Sequence, residues 1–485
     1  MKLFIFAIGG TGSRVLKSMI MLCAAGVRPV DADGRPIQDL EIVPIIIDPH
    51  KSNADLKRTE RLLSAYGTIR EKLYGKNANA NGFFATKIST LKEVVSSSQV
   101  PLDDSFIFNL AAVENYKFRD FISYNTMNEP NQALTSLLFA DYQLENKMSI
   151  GFVGSPNIGS VALNSIKDSN EFKAFANVFA DGDRIFFISS IFGGTGAAGF
   201  PIMVKNIRQA KNIDSKNKAF LQRAPIGGLT VLPYFSLMES DDKNDKRIDN
   251  AVNAIFYLGD HGHNAPYAYD PGDKRDQHDP AHLIEMVGAM APFKFMSMSD
   301  SDLTDGVTGE PLPTKAFEYG LEHDTDFVDF SVFGQETRQL IYRPLVKLHL
   351  LYIFLRTGLN NIIGQGFTED NPKITREFTS TQFYRVLTQQ FFASYIEWLT
   401  ELLHNRRHVT LFNEGEMDMT KAIHKVLTKK SLFGSKKVDN DVFKAEMNKL
   451  SRDNNRYGSN PELKLMDLFY TAAEKIITDR YDNIN

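Results

Sequence analysis

The chain has 485 residues, 43% of them hydrophobic and 24% charged, which excludes wholesale disorder and asks for two or three packed regions. Its 55 basic and 59 acidic residues leave a formal charge of −4, so the balance calls for neither nucleic acid nor an anionic membrane as partner. Cys23, the single cysteine, rules out an internal disulfide and a cysteine-rich zinc site and makes the cytoplasm the expected location.

Lys2 to Ile8 is an apolar run that breaks at Gly9, too short for a signal-peptide core, and it predicts a buried strand. Gly9-Gly10-Thr11-Gly12-Ser13 follows, and then Leu16, Met19, Ile20 and Cys23 recur at helical spacing. Cys23 on that stripe is a core residue. A second apolar run, Ile42 to Ile47, ends in Asp48; near-continuous apolar strands belong to a parallel sheet covered on both faces, so the fold class is α/β. The stretch from 50 to 147 is mixed and predicts an insertion, with a loop from Gly75 to Gly82. Strands are expected at Met148–Val153, Asp183–Ser189 and Gly228–Leu232. A helix is expected over Arg247–Leu258, and another starting from Asp279 as cap and Pro280 as first helical residue, through Ile284, Val287 and Met290.

Beyond residue 300 the pattern turns mostly helical. Val346–Leu355 and Thr381–Leu403 are the main segments; the apolar run Leu348–Leu355, bracketed by Lys347 and Arg356, is far too short to cross a bilayer, and no membrane segment is expected. Val409–Phe412 hints at a late strand. Residues 421–456 carry ten Lys or Arg against four Asp or Glu, a solvated basic face or a surface for an anionic partner or for the acidic surface of a neighbouring subunit. Residues 460–480 are again helical and amphipathic. Trp398, among Phe391, Tyr395 and Leu402, is expected to pack.

Three glycine loops, Gly9–Ser13, Gly154–Gly159 and Gly193–Gly199, each follow a predicted strand and open a helix. Such loops place backbone N–H groups and a positive helix end around an anion, for which phosphate is the natural occupant. No G-x-x-x-x-G-K-[ST] occurs, which removes the P-loop enzymes. A dinucleotide fold stays open: Asp48 could serve as its ribose acid, but Val15 stands where its third glycine belongs. That reading also leaves the glycines at 193–196 unexplained.

In this succession the chain resembles the tubulin/FtsZ superfamily, and most of all its divergent prokaryotic tubulin-like branch. Ala7-Ile-Gly-Gly-Thr-Gly-Ser13 matches the first loop, with Arg14 where FtsZ usually has asparagine. Gly154-Ser-Pro-Asn-Ile-Gly159 is similar to the third loop, and Phe192-Gly-Gly-Thr-Gly-Ala-Ala-Gly199 approximates the signature loop. Pro233-Tyr234, Glu239 and Arg247-x-x-x-Ala251 echo the turn, ribose-side glutamate and arginine that follow the fifth strand. The resemblance implies a parallel-sheet GTP-binding domain over residues 1–300 with the insertion 50–147, a core helix, a divergent second domain over 301–412 and a helical C-terminal extension over 413–485.

It further implies GTP or GDP with Mg²⁺ held by Gly9, Gly10, Thr11, Gly12, Ser13, Asp48, Gly154, Ser155, Asn157, Gly159, Gly193, Gly194, Thr195 and Gly196. Glu239 and Arg247 would lie near the ribose. Copies would stack into a filament, and an acidic loop of one subunit would complete the next subunit's site for hydrolysis. Asp326 and Asp329 are the candidates for that acid. A nucleotide-binding scaffold or sensor that never polymerises, in a prokaryotic defence or segregation system, is the alternative. His261, His263, His278 and His282 lie among aspartates, but a helix starting at Pro280 would split His278 from His282, so a polar loop is expected there and no metal site.

Overall fold

The computed structural model describes residues 1–95, 102–110, 113, 115–152, 154–210, 217–232, 254–258, 280–319, 327–359, 376–405, 407–431, 434–452, 460–482 and 484. Seven parallel strands form its main sheet in the order β3-β2-β1-β4-β5-β6-β7. They are β1 (Lys2–Ile8), β2 (Glu41–Ile47), β3 (Lys87–Ile88), β4 (Arg184–Ser190), β5 (Ile226–Val231), β6 (Ala254–Leu258) and β7 (Lys315–Tyr319). The helices that matter for the site are, in chain order, α1 (Gly9–Ala24), α2 (Ala54–Tyr74), α3 (Glu129–Leu138), α4 (Pro156–Leu163), α5 (Gly194–Arg208), α6 (Leu283–Gly288) and α7 (Ala291–Ser297). They continue with α8 (Gln335–Thr357), α9 (Phe392–His404), α10 (Asn440–Arg452) and α11 (Pro461–Arg480).

Alternate residues of β1 serve opposite faces, as a pleated strand requires. Leu3, Ile5 and Ala7 pack with Val15, Leu16 and Met19 of α1; Phe4, Phe6 and Ile8 pack with Ile158 of α4 and with Ala198, Phe200 and Met203 of α5. The crossovers after β1 and β4 therefore run over opposite faces, and the strand order reverses between these two neighbours. In open α/β sheets the crevice outside the carboxyl ends of such strands is where ligands bind.

Several expectations change. Met148–Ile150 is a 3₁₀ turn and not the start of a strand. The partner of β2 is instead split by the chain between 89 and 105: after Lys87–Ile88 it returns only at Ile107, paired with Ile46. α2 belongs to the β2–α2–β3 crossover, so the insertion begins after it. Ala254–Leu258, expected as the end of a helix, is a sheet strand between β5 and β7. With β7 at Lys315–Tyr319, the sheet extends past residue 300. α6 begins at Leu283 with His282 as its cap, where Asp279 and Pro280 were expected to start it.

The C-terminal segment is no appendage. One buried cluster runs from Leu3 through α8 and α9 to Phe469, Ile476 and Ile484. Trp398 is fully buried within it and donates from Nε1 to Ser18 Oγ at 3.2 Å, and Cys23 is buried as expected. Val409 pairs with Val328 in a two-stranded sheet, β8 (Phe327–Val328) with β9 (His408–Val409). Among the described residues, no helix is long and apolar enough to cross a membrane.

Candidate functional site

The three glycine loops meet at the carboxyl ends of β1 and β4. Gly9 takes a φ of 72°, a left-handed turn that a side chain resists; it lets α1 start directly on the end of β1. A Cβ placed there would lie 3.5 Å from the Gly196 nitrogen and from Thr195 Cβ, so the first and third loops touch. A Cβ at Gly194 would sit 3.1 Å from the Gly154 nitrogen, and one at Gly159 would press to 2.7 Å of Ala198 Cβ. Gly12 is equally constrained, with its Cβ position 2.7 Å from the Ala7 carbonyl carbon and 2.9 Å from the Ile188 oxygen.

The ends of these helices are bare. α1, α4 and α5 have no side-chain N-cap and no acidic residue in the first turn. Their leading N–H groups lack the partners that helix N-termini normally recruit; the exception is Ile158, whose N–H donates to Asn157 Oδ1 at 3.0 Å. α2, on the same sheet, shows the ordinary arrangement: Asn53 accepts from the N–H groups of Asp55 and Leu56, and Asp55 lies in the first turn. Helix N-termini are positively polarised, and these three carry no carboxylate among their caps or in their first turns.

Side chains contribute unequally. Thr195 is half-buried at the head of α5, available to add a hydroxyl donor. Thr11 Oγ1 accepts from Arg14 Nη2 at 3.4 Å. Ser13 is fully buried and its hydroxyl donates to the Gly9 oxygen at 3.3 Å, bracing the loop. Gln143 donates from Nε2 to Ser155 Oγ at 3.2 Å and to Asn157 Oδ1 at 3.4 Å, tying the insertion to the second loop. Asp48 is 5% exposed; burial, opposed by an N–H bond from His50 and aided by the Asp55 charge, lifts its carboxyl to about 7.

Sequence reasoning passed over the residue that anchors the first loop. The Arg14 guanidinium is buried between two carboxylates, with Nε 2.6 Å from Glu285 Oε1 and Nη1 3.3 Å from Asp55 Oδ2. Arg58 reaches from Asp55 to Glu401, and Lys17 also pairs with Glu401 at 3.4 Å. Burial pushes the Glu285 carboxyl up, and the nearby Arg14 and Lys17 charges pull it back. The H-x-x-E spacing of His282 and Glu285 was a readable capping-box signal: Glu285 Oε2 accepts from the His282 N–H, and His282 Nδ1 from the Ile284 N–H.

Of the remaining expected site residues, only Asp329 lies among the described residues. Asp326, Glu239 and Arg247 lie outside the described residues, as do His261, His263 and His278. Asp329 has both oxygens engaged, Oδ1 by the Ser331 N–H at 2.8 Å and Oδ2 by Lys425 Nζ at 2.7 Å. Within the chain this arrangement makes Asp329 a cap and ion-pair partner. Among the described residues no group of three or more His, Cys, Asp or Glu could hold a metal ion. Comparison with protein-family models, with curated proteins and with solved structures gives no match.

Proposed function

We propose that the protein binds a guanine nucleotide, GTP or GDP with Mg²⁺, at the crevice between β1 and β4, and that the bound nucleotide governs head-to-tail self-assembly. The observation that carries the reading is the convergence of three bare helix N-termini through glycine loops in mutual contact. The first and third loops would wrap the terminal phosphates with backbone N–H groups, Thr195 would add a hydroxyl, and Mg²⁺ would arrive on the phosphate oxygens. Guanine as base, and stacking of copies, follow from the likeness to tubulin and FtsZ in the loop sequences.

Self-assembly has a physical correlate beside the cradle. α3 buries none of its residues, yet Leu134, Leu137 and Leu138 are 55%, 84% and 62% exposed. Tyr142, 73% exposed, adjoins Gln143, which binds the second loop. An apolar face of this kind marks an interaction surface, and its linkage to the loop gives the nucleotide a route to it.

Sedimentation and negative-stain electron microscopy with GTP, GDP or neither test the reading. Polymers that form with GTP and dissolve with GDP support it. Nucleotide binding without polymers under any condition would leave the non-polymerising scaffold.

A further inference from the structure

A cavity of about 90 Å³ lies away from the glycine loops, between α8, α9 and the segment 409–417. One wall is the stripe Ile396, Leu399 and Leu403 of α9, and Leu411 and Met417 face it. These α9 residues are only half-buried, as expected when a helical stripe borders a space and not a neighbour. Apolar cavities of about 150 Å³ take up a benzene ring whole; this one is smaller but not enclosed, with the exposed Glu414 and the half-buried Glu416 in its lining, so a ring can stand partly out.

The lining is not uniformly apolar. His349, on α8, borders the cavity with its ring stacked on Phe412 at 3.9 Å and 7°. It is 6% exposed, and its Nδ1 has no hydrogen-bond partner in the protein. Burial drives the imidazole pKa down to about 3, so the ring is neutral at any physiological pH. Beside it, at 6.1 Å between ring centres, the fully buried Tyr395 also keeps a hydroxyl without a partner. Native interiors rarely leave buried polar atoms unpaired, and two neighbouring ones call for an explanation.

We propose that this cavity binds a neutral one-ring molecule carrying a hydroxyl group, of which phenol is the simplest member. The walls set the apolar ring. A hydroxyl both donates and accepts, so it satisfies Nδ1 of a neutral imidazole in either tautomer. Glu414 and Glu416 in the lining disfavour an anion, and an imidazole that stays neutral offers a cation no charge partner.

Fluorine NMR titrations of the full chain with 4-fluorophenol, fluorobenzene and 4-fluorobenzoate test this. Saturable binding of 4-fluorophenol is expected, about tenfold tighter than fluorobenzene, as one hydrogen bond allows, with no binding of 4-fluorobenzoate. His349→Phe keeps the stack on Phe412 and should erase the preference for the phenol. Leu399→Trp, from a half-buried position, should fill the cavity and abolish binding, with thermal melting showing both variants folded. Leu399→Trp alone carries the test if His349→Phe does not fold. Equal binding of fluorobenzene and 4-fluorophenol would reduce the cavity to a packing void, and it would overturn the proposal, as would no saturable binding, tighter binding of the benzoate, or a folded Leu399→Trp that binds the phenol as wild type does.

Discussion

Arg14 is the residue on which the first glycine loop turns, and replacing it by methionine is the sharpest perturbation of the buried cluster. The side chain is 4% exposed and faces Glu285 at 0% and Asp55 at 3%, so methionine fills comparable volume but removes the charge between two buried acids. Breaking a buried pair from one side typically costs 3–5 kcal/mol. Asp55 retains Arg58, and Glu285 still feels Lys17, which places the expected loss at about 3 kcal/mol. The pH dependence has a definite sign. Glu285 already has a raised carboxyl pKa and loses its largest opposing charge, so the folded variant holds a proton more tightly than the unfolded chain does. Its stability is then greatest in acid and falls as pH rises.

Urea denaturation of wild type and Arg14→Met at pH 5 and pH 8 should show a deficit that widens at the higher pH. Adding Glu285→Gln should return much of it, because removing both charges is far cheaper than stranding one. Since Thr11 Oγ1 accepts from Arg14, nucleotide affinity should also fall in the single variant. A deficit under 0.5 kcal/mol at pH 8, or one equal at both pH values, on a scale where surface substitutions stay within about 0.5 kcal/mol, would show that the cluster does not bear on folding as argued.

Asp48, held up to about 7 from 3.8, favours the fold below pH 3.8 and progressively less as pH climbs through 7; at about 1.4 kcal/mol per unit the ceiling is about 4 kcal/mol. Asp48→Asn should therefore gain on wild type in melting temperature between pH 5 and pH 8, and parallel curves would contradict the buried-acid assignment. Leu137→Glu with Leu138→Glu, both on the exposed face of α3, should abolish GTP-dependent sedimentation while leaving nucleotide affinity within about twofold; polymers as abundant as in wild type would clear α3 of any part in assembly. Gly228→Ala would bring a Cβ to 2.4 Å of Phe200 Cζ and should cost about 1–3 kcal/mol by overpacking, measured by urea denaturation against Gly306→Ala, where no atom lies within 4 Å.

The strands that frame the site were legible because a doubly covered parallel strand has to be apolar almost without interruption: β1, β2, β4 and β5 all show it. β3 was not, because its two residues carry no pattern and its continuation at Ile107 comes after a detour. β6 was misread because Ala254, Ile255 and Leu258 also fit helical spacing; only the neighbouring strands decide between the two periods. The glycine loops were legible as turns that open helices. What could not be seen was that their helices lack caps together, or that Arg14 finds its partners 41 and 271 residues away. Nor could it be seen that the Ser13 hydroxyl donates within its own loop, to the Gly9 oxygen. The exposed leucines of α3 look in sequence like any amphipathic helix, and only the structure shows that no cover for them is found among the described residues.

The central claim is that the cradle between β1 and β4 holds nucleotide phosphates, and calorimetric titration of GTP into nucleotide-stripped protein tests it most directly, beside the variant carrying Gly194→Ala and Thr195→Val. The alanine Cβ would meet the Gly154 backbone nitrogen at 3.1 Å and push the second loop from the third, while valine removes the hydroxyl. Saturable one-to-one binding of GTP to wild type, lost in a variant that melts as a folded protein, is the result predicted. No binding to wild type, or equal affinity in the folded variant, would contradict the claim.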